Sequence, residues 1–167
     1  SRALGEAAAP VGAVTSVTGC AHVGPPLVNH QGVDGVTFTG SSTAGMSIIQ
    51  TFSTSHPKPA ICEMGGKNPV IVTGTADLDL AVEGTARSAF GFGGQKCSAA
   101  SRVFVHASIA DEFVARLVAR AAAIPSTSPL DPGGFLSPVV NATALERYDA
   151  VIADVAAHGE VLCGGVR

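Results

Sequence analysis

From Val33 to Thr39 the chain reads Val-Asp-Gly-Val-Thr-Phe-Thr, a β-branched and aromatic run that predicts a buried strand. Gly40-Ser41-Ser42 breaks that run, and Thr43 to Phe52 then follows as a helix. The same switch recurs downstream. Pro59 to Met64 is a strand, Gly65-Gly66 a break, and Asn68 to Thr73 (NPVIVT) a further strand. A long helix starts at Asp77 and runs toward Phe90, with Asp77 or Asp79 near its positive N-terminus. Arg102 to His106 (RVFVH) is a strand. Ser108 is expected to cap the next helix, with Asp111 three positions on and Phe113, Leu117 and Ala121 along one face. Pro125 to Pro138 is a Pro/Gly/Ser loop, and Ala142 to His158 a helix ended by Gly159. Val161-Leu162 reads as the beginning of a strand. Toward the start, residues 2–9 read as the end of an Ala-rich helix and Val11 to Val17 as a strand. A short helix is expected around His22 to Asn29, weakened by Pro25-Pro26. Strands alternating with helices predict an α/β fold with largely parallel strands and right-handed crossovers. The chain carries no internal repeat.

Composition narrows the class. At 167 residues the chain suffices for one domain or parts of two. Hydrophobic residues are 46% and mean hydropathy is +0.37, so there is ample apolar surface to bury and a folded chain is expected. Charged residues are only 14%, which points to surfaces covered by further chain or by partners. The net charge is −3 and the ten Lys and Arg are scattered, so nucleic acid is not an expected partner. Apolar stretches are broken well before the ~18 residues a membrane span needs. Ser1 to Glu6 has no apolar core of the kind a signal peptide carries. With no initiator Met and no closing element after Gly164-Gly165, the expectation is a segment of a longer chain. The four cysteines are widely spaced and form no CxxC pair, which argues against a zinc site and, without a secretion signal, for reduced thiols in the cytoplasm. In that compartment the Asn141-Ala142-Thr143 sequon is a chance match.

Three segments carry candidate chemistry. In Phe38-Thr39-Gly40-Ser41-Ser42 a glycine turn opens a helix, leaving backbone N–H groups at the positive end of the helix dipole. Such a place binds phosphate, with Ser41 adding a hydroxyl; a plain helix cap has the same sequence. In Cys62-Glu63-Met64-Gly65-Gly66-Lys67 a single carboxylate lies in an apolar strand before two glycines. Burial would raise its pKa and suit it as a base; the alternative is a strand-end Glu paired with a lysine such as Lys67. In Gly93-Gly94-Gln95-Lys96-Cys97-Ser98-Ala99 a cysteine follows a glycine loop, with Lys96 adjacent to favour thiolate and small neighbours to admit a substrate. The alternative is a structural cysteine, the class to which Cys20, Cys62 and Cys163 are assigned.

Taken together, FTGS, EMGGKNP and FGGQKCSAASR, in that order, resemble the aldehyde dehydrogenase superfamily. The resemblance extends from about Val11 to Gly165 through ADLDLAVEG and RVFVH…DEFVARLV. Among subgroups, GFGGQKCSA with CEMGGKNP looks most like the pyrroline-5-carboxylate dehydrogenases. The fold it implies is α/β, made of parts of two Rossmann-like parallel-sheet domains. Residues 1–66 would be the C-terminal part of a cofactor-binding domain, and 67–167 the N-terminal part of a catalytic domain. The implied activity is NAD- or NADP-dependent oxidation of an aldehyde to a carboxylic acid through a cysteine thioester. The implied substrate is glutamate semialdehyde, oxidised to glutamate in proline breakdown. Cys97 would be the nucleophile and its N–H half of the oxyanion hole, with Glu63 the general base. Gly40 and Ser41 would bind the cofactor pyrophosphate, Met64 and Gly65 would flank the nicotinamide, and Ser98 would help hold the substrate carboxylate.

The resemblance also implies a homo-oligomeric parent enzyme, with no metal, nucleic acid or membrane. It is incomplete in one respect. The upstream asparagine of the oxyanion hole, the lysine that grips the adenosine ribose and the downstream EIFGP-type segment of the family have no counterpart here. A truncated, catalytically inactive remnant is therefore the alternative reading.

Overall fold

The computed structural model describes residues 13–19 and 22–166. The chain divides into two compact units between Met64 and Gly65.

The first unit is built from helix α1 (Gly24–Val28), strand β1 (Val36–Gly40), helix α2 (Ser42–Thr51) and strand β2 (Ala60–Met64). Pro25-Pro26 does not prevent α1, because the prolines sit in its first turn, where an N–H has no intrahelical acceptor anyway. The strands β1 and β2 pair in parallel, in a register that runs from Val36 opposite Ala60 to Gly40 opposite Met64. Helix α2 buries Gly45 and Ile48, and Phe52 just beyond its end is buried as well. A Cβ on Gly45 would lie 2.5 Å from the Met64 sulfur, so the absence of a side chain there lets helix and strand approach closely. The stem before β2 is fastened by Lys58, whose Nζ donates to the Val33 carbonyl at 2.7 Å and lies 5.3 Å from the centre of the Phe52 ring.

In the second unit, strand β3 (Asn68–Val72), helix α3 (Leu78–Phe90), strand β4 (Ala100–Val105), helix α4 (Ala110–Ala122) and helix α5 (Ala142–His158) follow in order. β3 and β4 are parallel, with one register irregularity at Asn68/Pro69. Asp77 caps α3, its carboxylate accepting the N–H groups of Asp79 and Leu80 at 3.0 and 3.1 Å. Val72, Val82 and Phe113 form the core, and Val70, Leu78, Val105 and Leu117 pack around them. Phe113 is 1% exposed, and removing a side chain of that size from water contributes roughly 2–3 kcal/mol. The apolar face expected of α4 is thus the face that meets β3 and α3.

Four expectations need correction. Residues 13–17 carry no strand; residues 11 and 12, like the helix expected over 2–9, lie outside the described residues. Ser108 does not cap α4. It sits inside a short 3-10 turn (Ala107–Ile109), and the side chain of His106 caps that turn by accepting the Ser108 N–H. The imidazole takes the role because the chain leaves β4 one residue earlier than the sequence pattern implied. Val161-Leu162 is irregular, since no neighbouring strand among the described residues offers it a ladder. The fourth concerns Glu63, which is exposed rather than buried. β2 alternates strictly, with Ala60, Cys62 and Met64 half-buried and Ile61 and Glu63 on the bare face.

Among the described residues both sheets are two strands wide, and each leaves large apolar side chains in water. Ile61 in β2 is 58% exposed, Ile71 in β3 74% and Phe104 in β4 57%.

Candidate functional site

At the C-terminal end of the first sheet the ladder sets Gly40 opposite Met64 and Thr39 opposite Glu63. Ser41 follows directly, in extended backbone, as the N-cap of α2. Its Oγ accepts the Ala44 N–H at 3.2 Å, which leaves the hydroxyl proton free to donate outward. The N–H groups of Ser42 and Thr43, in the first turn, have no intrahelical acceptor. Gly40, Ser41 and Met64 therefore meet at one rim. That rim has the polarity an anionic group requires, at the strand ends where ligands of parallel sheets bind. Glu63 is on the same ladder one step back, and makes no ion pair among the described residues.

In the second unit Gly65 is exposed and open, with nothing within 4 Å of where a Cβ would stand. The loop before β4 is far more constrained. Phe92, Gly93 and Gly94 all take positive φ, at 58°, 63° and 70°. Two of the three are glycine, for which this region is free of strain; Phe92 adopts it at a cost of about 1–2 kcal/mol. Gly94 has a second requirement, since a Cβ there would stand 2.9 Å from the Ala89 carbonyl oxygen. Gln95 then anchors the loop. Its backbone N–H donates to the Phe92 carbonyl at 3.2 Å, and its Oε1 accepts the Val140 N–H at 2.9 Å.

Lys96 to Ala99 is a β-turn, closed by the Ala99 N–H on the Lys96 carbonyl at 3.2 Å. Cys97 and Ser98 are its two central residues, and both are exposed. The Lys96 ammonium folds back over Gly91. Asn68, at the start of β3, reaches into the turn from the side: its Nδ2 donates to the Cys97 carbonyl at 2.7 Å and to the Ala99 carbonyl at 3.3 Å. The thiol is thus presented at the surface on a loop held at several points, as an attacking sulfur requires. Cys163 is exposed and Cys62 half-buried, both as free thiols, and Cys20 lies outside the described residues. An apolar groove lined by Phe90, Leu117, Ile152, Leu162 and Cys163 sits elsewhere in this unit and does not include Cys97.

Sequence reasoning assigned no role to Asn68 or Gln95. For Gln95 the partner is 45 residues away, beyond the reach of any local pattern. For Asn68 a signal existed, an amide side chain at a strand start directly after Gly-Gly-Lys, but its target is 29 residues on.

Comparison with known proteins identifies the class. The family model described as "Aldehyde dehydrogenase family" matches residues 1–167, and the chain belongs to that family. Among curated relatives, 1-pyrroline-5-carboxylate dehydrogenase 1 of Halalkalibacterium halodurans is 38% identical, across 97% of this chain and 33% of the relative. Aminoaldehyde dehydrogenase 2, peroxisomal, of Malus domestica is 40% identical, across 97% of this chain and 32% of the relative. A crystal structure of 1-pyrroline-5-carboxylate dehydrogenase from Thermus with bound NAD superposes with a TM-score of 0.81 at 37% identity, covering 87% of this chain and 29% of that one. The fold is accordingly a partial aldehyde dehydrogenase fold. The chain spans about a third of the length of the curated relatives it matches.

Proposed function

We propose that the full-length protein carrying this chain oxidises an aldehyde to a carboxylic acid with NAD or NADP, through a thioester on Cys97. The observation that carries the reading is the exposed Cys97 on its pinned turn, in a chain of this family. The Cys97 thiolate adds to the aldehyde carbon, and the carbonyl oxygen becomes an alkoxide that the Cys97 N–H stabilises. Bound NAD or NADP would supply the hydride acceptor, so that loss of hydride from this carbon would leave a thioester on Cys97. Water then attacks the thioester while Glu63 takes its proton, releasing the acid and the Cys97 thiolate. The support for Glu63 is its place at the C-terminal end of a parallel strand, beside the cofactor rim of its own unit; burial within this chain lends none. Gly40 and Ser41 would hold the pyrophosphate, and Met64 and Gly65 would flank the nicotinamide. The free Ser41 hydroxyl proton and the open first-turn N–H groups fit an anionic ligand. In these terms 1–66 contributes to a cofactor domain and 67–167 to a catalytic domain.

The substrate we assign is glutamate semialdehyde, with Ser98, exposed beside the nucleophile, holding its carboxylate. Support comes from the 38% identity to a 1-pyrroline-5-carboxylate dehydrogenase. Free thiols at Cys62, Cys97 and Cys163 accord with work in the reducing cytoplasm.

The test is steady-state oxidation of an aldehyde panel by the full-length protein, with NAD and NADP separately. Glutamate semialdehyde should give the highest kcat/KM; a preference for aminoaldehydes would reassign the substrate. Cys97→Ala should lower kcat by roughly a thousandfold or more. Glu63→Gln should keep a first-turnover burst of reduced cofactor and lose about 10²–10⁴ in steady turnover. Full activity in Cys97→Ala would end the reading.

A further inference from the structure

We propose that Asn68 is a positioning residue for the nucleophile, which it serves by fixing the orientation of the Cys97–Ser98 peptide. The inference rests on Cys97 being the attacking group.

In a β-turn the two common forms, type I and type II, differ mainly by a flip of the central peptide. The flip carries ψ of the second residue from about −30° to about +120°. Here the turn is Lys96 to Ala99, and its central peptide joins Cys97 to Ser98. Within the turn the closing bond uses only the Lys96 carbonyl and the Ala99 N–H and leaves the central peptide unheld. The flip is opposed there only by Ser98, whose side chain disfavours the positive φ that type II needs at the third residue. A second and direct restraint comes from β3. Asn68 Nδ2 donates to the Cys97 carbonyl at 2.7 Å, and so draws that oxygen toward the strand. The peptide is trans, so the Ser98 N–H points to the opposite side. The second bond, to the Ala99 carbonyl at 3.3 Å, ties the amide to the turn's exit as well as its centre. An amide nitrogen has two hydrogens and can serve both carbonyls at once. The anchor is firm, since Asn68 is half-buried and paired with Ala100 in the β3–β4 ladder, next to the register irregularity. That irregularity leaves Ser101 without a partner between Ala100 and Arg102, and it brings the turn's exit up against the Asn68 side chain.

Release of this peptide alters ψ of the residue that bears the thiol, and with it the direction of the dipoles flanking the sulfur. A geometric change of that kind falls on the chemical step, not on the affinity for an aldehyde.

The experiment uses the full-length protein, with Asn68→Leu, which has no donor and no charge, and Asn68→Ser, which keeps one shorter donor. Kinetics are normalised to folded protein. Asn68→Leu should lower kcat roughly ten- to a hundredfold, with the aldehyde KM within about twofold. Asn68→Ser should recover a large part of the loss. Alkylation by iodoacetamide gives a readout independent of turnover: the rate at Cys97 relative to the exposed Cys163 should change in Asn68→Leu and return toward the wild-type ratio in Asn68→Ser. A variant Asn68→Leu that is less stable but keeps kcat and the alkylation ratio would overturn the inference, leaving Asn68 a structural tie. Failure of the underlying reading is separate, because it shows as retained activity in Cys97→Ala whatever the Asn68 variants do.

Discussion

Thr85, in the middle of α3, is 2% exposed, and its hydroxyl has no hydrogen-bond partner among the described residues. A buried hydroxyl left unpaired costs about 1–3 kcal/mol. Thr85→Val keeps the branched shape and removes the orphaned group, so it should raise stability by about 1 kcal/mol in urea denaturation; a loss of that size would show that the hydroxyl has a partner supplied from elsewhere. Gly94 is the opposite case. It needs both a left-handed φ of 70° and the absence of a Cβ near the Ala89 carbonyl oxygen. Gly94→Ala should therefore destabilise the fold by about 1–3 kcal/mol and slow Cys97 alkylation or turnover along with it. Gly84, with nothing within 4 Å of its Cβ position, is the control: alanine there, in a helix interior, should be neutral or stabilising.

Helices α3 and α4 are joined on their outer side by Glu83, which accepts from Arg120 Nε at 2.7 Å and Arg87 Nε at 2.6 Å. Arg116 makes a second, separate tie, to Asp79 in α3 and Glu112 in α4. The hydrogen bond from Arg120, then that from Arg87, holds the Glu83 pKa down from its ordinary 4.5 to about 2. A carboxylate with a lowered folded pKa adds stability above its unfolded value, and that stability is lost as pH falls through the folded one. Acid titration should show a stability decrement between pH ~4.5 and ~2 that is smaller in Glu83→Gln and shrinks in high salt; an unchanged profile in the variant would assign the acid sensitivity to other groups.

Elements of this kind were largely legible in advance. Helices α2, α3 and α5 have a local cause in the chain, an N-cap at Ser41, Asp77 and Asn141. Helix α4 has no side-chain cap and was legible only from its apolar face at Phe113 and Leu117, and the strands from their β-branched and apolar runs between glycine breaks. What escaped was set by partners distant in sequence. Glu63 read as buried because its strand is apolar, but burial depends on what covers a face, and the strand pattern does not contain that. Val161-Leu162 has β propensity and no ladder to join. Asn68 and Gln95 act through carbonyls and amides tens of residues away. Of the residues named from motifs, Gly40, Ser41 and Met64 lie at strand or helix ends and Cys97 and Ser98 in the turn before β4, while the ties that hold that turn were invisible.

At the scale of the whole molecule, the low share of charged residues and the bare sheet faces are one fact seen twice. Parallel sheets are stable when both faces are covered, and here Ile61, Ile71 and Phe104 remain in water while, among the described residues, each two-stranded ladder keeps two open edges. The consequence is colloidal. A surface with open hydrogen-bonding edges and apolar side chains in rows is a template for its own kind, so the isolated chain should self-associate. Sedimentation should show a weight-average mass that climbs with concentration through the micromolar range, and Ile71→Lys with Phe104→Lys should lower it. A single monomeric species up to ~100 μM would refute this. During synthesis a stretch with bare sheet faces would be a natural client for a holding chaperone until those faces are covered.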